Sequence, residues 1–345
     1  MSRFESNDLP IHPEQAGPDA KQEALEGLTV SEAELAWEHA RRTGENPLPI
    51  SGIQIETSSI CNFRCPSCPL AMDGYTRPEE HMDLERFQAI LDKFPDVKRV
   101  ELQGLGEVFL NPCILDLIRY ANSRGVMVQT YSNASKITRE IARDLITSGL
   151  HTINFSMDGA DEERFRKARK GGTLARYKRS VANLVEARNA AGSATPFIGV
   201  MTVLSKLNVH QVPRLLAIAE GLGVDRITFT KMNAAANPEL RPLTLGKAEY
   251  AYLESLPPYK GRLEVTWATT PWTKAERIDC YWPKHMVYVT VKGAVTPCCN
   301  YWSEDEIVYG NALTQSADEI WNSSTATDFR KQLWSGNLPK RCREC

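Results

Sequence analysis

The stretch Cys61-Asn62-Phe63-Arg64-Cys65-Pro66-Ser67-Cys68 places three cysteines within eight residues, directly after the run Ile53-Gln54-Ile55-Glu56. That run alternates apolar and polar residues and reads as a short β-strand. Three thiolates at this spacing can converge on one face of a tight loop and hold three corners of a cubane iron–sulfur cluster. A [4Fe–4S] cluster normally takes four cysteines, so a three-cysteine loop leaves one iron for a non-protein ligand. An open coordination position marks a reactive site rather than a closed structural one. The alternative is a zinc loop, although zinc sites usually pair one Cys-x2–4-Cys with a second, distant pair.

Outward from this loop, composition narrows the class. The chain has 345 residues, 24% charged and 42% hydrophobic, with a formal net charge of −2. These values suit a globular protein of about two domains. They give no electrostatic case for nucleic acid or an anionic membrane as a partner, and no apolar run reaches the length of a membrane span. Nine cysteines, with a polar start lacking a signal-peptide core, lead to the expectation of a reducing, cytoplasmic setting in which thiols serve metals or catalysis.

From about residue 51 to 237, strand-like and helix-like segments alternate. Strands are expected at 53–56, 99–103, 126–131, 152–157, 197–204 and 226–230, with helices at 83–94, 112–123, 138–148, 174–191 and 212–222. Six strands alternating with helices predict an α/β fold, a parallel sheet of βαβ units, with functional loops at the carboxyl ends of the strands. Residues 1–50 read as an extension. Its first twenty residues are expected to be disordered, and a helix follows to about Arg42, with Ser31 as N-cap and Glu34 as its capping-box partner. Residues 238–275, with five prolines, read as a bridge carrying one helix near 246–255.

The cysteine loop, with its Cys-Asn-Phe-Arg-Cys opening, resembles that of the radical S-adenosylmethionine (SAM) enzymes. The resemblance implies a partial (β/α)6 barrel, a [4Fe–4S] cluster on Cys61, Cys65 and Cys68, and SAM chelated at the open iron. In that family, electron transfer into the sulfonium releases a 5′-deoxyadenosyl radical that abstracts hydrogen from the substrate. Gly104-Leu105-Gly106-Glu107 stands where the family has Gly-Gly-Glu, so Gly106 and Glu107 are expected at the SAM amino group. Glycine there permits close backbone approach. Phe63, Ser132, Asn133, Ser156 and Asp158 are the further SAM-site residues implied, and Arg169 is expected to pair with the SAM carboxylate, a role that suits a planar guanidinium. The surrounding basic residues read mostly as a solvated helix face.

A second cysteine system occupies 276–345: Cys280, Cys298, Cys299, Cys342 and Cys345. Two β runs around Lys292-Gly293 predict a hairpin that carries Cys298 back towards Cys280, and a helix is expected from about Ser316 to Trp334. The Gly293-to-Cys298 spacing resembles the SPASM and "twitch" extensions of radical SAM enzymes. The shorter twitch form implies one auxiliary [4Fe–4S] cluster on Cys280, Cys298, Cys342 and Cys345. A four-cysteine zinc site remains the alternative. Cys113 reads as a small buried residue, and Cys299 as a candidate hydrogen donor to a substrate radical.

The cysteine layout is similar to that of the 2-deoxy-scyllo-inosamine dehydrogenase type. The leading expectation is therefore oxidation of a small polar metabolite such as an aminocyclitol, sugar or nucleoside. A small-molecule substrate is favoured over a peptide, with a flavodoxin or ferredoxin as electron donor. The alternatives are a peptide- or protein-modifying maturase and a redox-neutral epimerase.

Overall fold

In the computed structural model, residues 30–46, 48–72, 75–234, 237–269 and 273–345 are described. Six parallel strands form the centre: β1 (Gly52–Ile55), β2 (Arg99–Leu102), β3 (Met127–Ser132), β4 (Leu150–Ser156), β5 (Phe197–Leu204) and β6 (Arg226–Lys231). They lie side by side in sequence order. The crossovers are helical: α2 (Leu84–Leu91), α3 (Ile114–Ser123), α4 (Arg139–Ile146), α5 (Glu162–Ala168) with α6 (Leu174–Ala190), and α7 (Val212–Leu222). Register explains why every residue of β1 and β2 is buried. Ile53, Val100 and Val128 share one row and belong to the main apolar core. The next row, Gln54, Glu101 and Gln129, is polar and points to the other face of the sheet, yet it is buried too. Alternation across a pleated sheet thus gives an apolar outer layer and a polar interior.

Two departures from the expected six strands extend this sheet to ten. After α8 (Lys247–Ser255), within the stretch read as a bridge, β7 (Glu264–Ala268) adds a further parallel strand beside β6. Its Trp267 stacks on Phe229 with ring centroids 4.6 Å apart. The proline-rich surroundings hid this strand. Past two short helices, α9 (Lys274–Ile278) and α10 (Trp282–His285), β8 (Met286–Val289) pairs parallel with β1. The expected hairpin forms with β9 (Ala294–Thr296), which is antiparallel to β8. Gly293 makes the turn with φ of +85°, a region glycine enters without steric cost. β10 (Gly310–Asn311) completes the edge. The second cysteine system is therefore built onto the barrel's own sheet. The single helix expected after residue 316 is two, α11 (Ala317–Trp321) and α12 (Ser324–Trp334), separated where Ser323 caps α12 through Ala326 N–H.

Helix α1 (Val30–Thr43) packs on α12. Trp37 meets Trp334 edge-on at 5.8 Å, and the fully buried Arg330 donates through Nε to Gly44 O at 2.6 Å. The extension before the barrel thus clasps the end of the chain. The expected disorder of the first twenty residues and the side chains of the Ser31/Glu34 cap lie outside the described residues. Among the described residues no helix is long and apolar enough to cross a membrane.

Candidate active site

The cysteine loop leaves β1 at Glu56, a carboxylate with no exposed surface. Arg77 donates to it from Nη2 at 2.5 Å and from Nη1 at 3.3 Å. Leu105 N–H reaches Oε1 at 3.2 Å and Val291 N–H reaches Oε2 at 3.1 Å. One side chain thus joins the start of the cysteine loop, the glycine loop and the β8–β9 hairpin. Beyond it, Cys61, Cys65 and Cys68 come together with their thiols mostly withdrawn from water. Burial pushes Cys61 up to about 11 and raises Cys65 and Cys68; Glu107 and the other two thiols add to the rise at Cys61, whereas the Arg169 charge opposes it at Cys65 and Cys68. A metal group bound here would replace the proton on each sulfur and hold it as thiolate.

A second segment closes over the loop. Arg64 N–H donates to Lys170 O at 2.8 Å. Gly171, at φ +113°, and Gly172 lie so close that a Cβ would stand 2.9 Å from Asn62 O and 2.6 Å from Phe63 Cζ respectively. Phe63 is buried beneath this turn. Arg169, just before the turn, forms a 2.5 Å ion pair with Asp158, and its charge also acts on Cys65. Its Nε is buried and lacks a partner.

The glycine loop zips against the base of the cysteine loop. Gly106 N–H donates to Ser58 O at 3.1 Å, and Glu107 N–H donates to Ile60 O at 2.8 Å. A Cβ on Gly106 would fall 2.3 Å from Ser58 O, so only glycine fits. The Glu107 carboxylate turns inward and accepts from Ser132 Oγ at 2.7 Å, Asn133 N–H at 2.7 Å and Phe109 N–H at 3.2 Å. Burial raises its pKa, with those three donors opposing. Glu107 and the Ser132 hydroxyl thus face each other. Asn133 extends to the cysteine loop, donating to Asn62 Oδ1 at 3.1 Å and lying 3.9 Å from Cys61 Sγ. Asn62 in turn donates to Ser135 Oγ at 2.9 Å. Asp158 Oδ1 accepts from Val203 N–H at 2.8 Å, and Ser156 ends β4 half-exposed. All the SAM-site residues expected from the sequence gather at the carboxyl ends of β1 to β4. Glu56, Arg77, Asn62 and Ser135 were missed. Only Glu56 carried a signal, as a carboxylate between a buried strand and the cysteines.

The second thiol set rings a cavity of about 220 Å³ formed with Thr230, Lys231 and Ala268 at the ends of β6 and β7. Cys280, Cys298, Cys342 and Cys345 all line it, as does Cys299. Burial raises all five thiols, Cys342 to about 11 and Cys299 to about 12. Among the described residues no three metal-binding side chains close around a single ion. Four cysteines lining one cavity supply the donor set that a cysteine-held metal group takes. Cys299 also feels the negative charge of Glu101, on the polar interior row. Cys113 is half-buried at the N-cap of α3.

Residues 55–219 match the family model described as the radical SAM superfamily, and residues 280–345 match that of SPASM, an iron–sulfur cluster-binding domain. A tungsten-containing aldehyde ferredoxin oxidoreductase cofactor-modifying protein of Pyrococcus furiosus is 26% identical, across 85% of this chain and 86% of that protein. The PqqA peptide cyclase of Streptomyces rochei is 25% identical, across 86% of this chain and 81% of that protein. The crystal structure of Streptococcus suis SuiB bound to precursor peptide SuiA superposes with a TM-score of 0.62 at 14% identity, covering 87% of this chain and 71% of that one, a likeness of fold. These findings overturn the expected small polar metabolite and the dehydrogenase assignment that rested on cysteine layout. Relatives matched along 86–89% of this chain include cyclases named for a peptide. Cysteine spacing reports the cluster type and not the substrate, which is why it misled.

Proposed function

The chain belongs to the radical SAM superfamily and carries a C-terminal SPASM-type iron–sulfur domain, and from that premise we propose that it is a maturase acting on a peptide. The observation that carries this reading is its similarity to a PqqA peptide cyclase along 86% of its length. SAM and [4Fe–4S] clusters are its cofactors; when bound, they supply a carbon radical that removes hydrogen from the substrate and a redox group for its electrons.

The chain's own residues have separable tasks in this proposal. Cys61, Cys65 and Cys68 hold the cluster that binds SAM. Arg169, braced by Asp158, offers its unpartnered Nε to the SAM carboxylate. Gly106 lets the glycine loop lie against Ser58 and Ile60, and Glu107 keeps Ser132 and Asn133 in place beside it. Phe63, packed under Gly172, excludes water from the cysteine loop, and Ser156, half-buried at the end of β4, offers its hydroxyl to SAM. Cys280, Cys298, Cys342 and Cys345 hold the auxiliary cluster. The net change proposed is an oxidation, the removal of two hydrogens from the peptide. The many reduced thiols this requires support a cytoplasmic setting.

A second reading draws on Cys299, which lines the cavity beside Cys298 and could return a hydrogen atom in a redox-neutral reaction. Anaerobic incubation with SAM, a reductant and candidate precursor peptides separates these readings. Peptide product lighter by two hydrogens, formed with 5′-deoxyadenosine, supports the oxidation. Unchanged mass with deuterium gained from heavy water, abolished by Cys299→Ala, supports the second reading. Turnover of small polar metabolites with every peptide inert would refute both.

A further inference from the structure

The cavity ringed by Cys280, Cys298, Cys342 and Cys345 is lined by both aromatic and polar side chains. Cys280 and Cys298 pack with the aromatic group Tyr281, Trp282 and Tyr288. Donors surround the other two cysteines. Asn300 Nδ2 donates to Cys345 Sγ at 3.3 Å. Asn233, just past the end of β6, donates to Asn300 Oδ1 at 3.4 Å, so the amide presents its N–H end to the sulfur. The Tyr301 hydroxyl lies 4.0 Å from Cys342 Sγ. Arg277 Nη2 donates to Cys345 O at 3.4 Å. Lys231, the last residue of β6, lines the same cavity and has no salt bridge among the described residues.

A cluster held by four thiolates is net negative and gains one more negative charge on reduction. Cation charge and N–H donors at its sulfurs favour the reduced state and so raise its potential. We infer that Lys231 and Asn300 set the reduction potential of the auxiliary cluster, raising it so that the cluster accepts electrons instead of supplying them. Lys231 acts by its charge and Asn300 by its hydrogen bond to Cys345. The barrel strand β6 thereby tunes a redox group whose ligands all lie in the C-terminal domain. The inference rests on the ligand set proposed above.

An anaerobic redox titration of the loaded enzyme, followed by electron paramagnetic resonance, reads it directly. Lys231→Met and Asn300→Ala should each move the auxiliary midpoint to lower potential, with the other cluster's midpoint unmoved. Lys231→Arg should restore the wild-type value. Lys231→Gln serves as a second neutral variant where Lys231→Met loads poorly. Wild-type midpoints in fully loaded neutral variants would overturn the inference. Iron and sulfide content of Cys342→Ser distinguishes the other failure: undiminished content there would overturn the ligand set itself.

Discussion

Arg77→Met should destabilise the protein by about 3 kcal/mol. Glu56 is fully buried and Arg77 nearly so, and removing one partner of a buried pair costs about 3–5 kcal/mol because a charge is left uncompensated. The low end applies because Leu105 and Val291 N–H groups still face the carboxylate. Arg77 also donates to Trp302 O at 3.0 Å, tying the segment after the cysteine loop to the second thiol set. Glu56→Gln keeps the volume but discards the charge, and should cost about 2 kcal/mol, largely from the stranded guanidinium. The double variant strands neither charge. Its cost should be about 3 kcal/mol and not the sum of about 5, a coupling of about 2 kcal/mol. Urea unfolding under argon, at matched iron content and with an unchanged slope, measures all three. Strict additivity, or single losses under about 0.5 kcal/mol, would refute the view that Glu56 and Arg77 lock the two cluster regions together.

Further outcomes follow from the same geometry. Gly106→Ala sets a Cβ 2.3 Å from Ser58 O, so the cysteine loop must move; iron retention at the first site and SAM binding by equilibrium dialysis should both fall. Cys342→Ser should lower reconstituted iron from about eight to about four per chain while SAM binding persists. Gly44→Ala forces a side chain into φ of +81° and to 2.0 Å from Thr327 O, costing about 2 kcal/mol or more. Limited proteolysis should then cut near residues 41–46 faster than in the wild type, with the barrel intact.

The barrel strands were legible because Ile53, Val100 and Ile153 carry a period that burial between helices and interior enforces. The cysteine loop was legible because three thiols in eight residues have few structural uses. β7 was not, since its partner β6 lies over thirty residues earlier and the intervening prolines read as irregular chain. The docking of β8 beside β1 is a pairing more than 230 residues apart, and no local pattern encodes it. Arg169 was singled out by resemblance, but its bond to Asp158 joins two residues from different loops. The Glu56–Arg77 contact needed the fold as well. Substrate identity failed for another reason: the family motif that the site residues resemble is one for SAM and iron, so these residues are silent about what the radical attacks.

The most direct measurement is transfer of deuterium from a candidate precursor peptide, deuterated at its side-chain carbons, into 5′-deoxyadenosine during anaerobic turnover. A peptide-modifying radical SAM enzyme yields 5′-deoxyadenosine heavier by one mass unit for each hydrogen abstracted, together with altered peptide. Unlabelled 5′-deoxyadenosine with unaltered peptide, alongside label transfer from a deuterated sugar or nucleoside, would contradict the account.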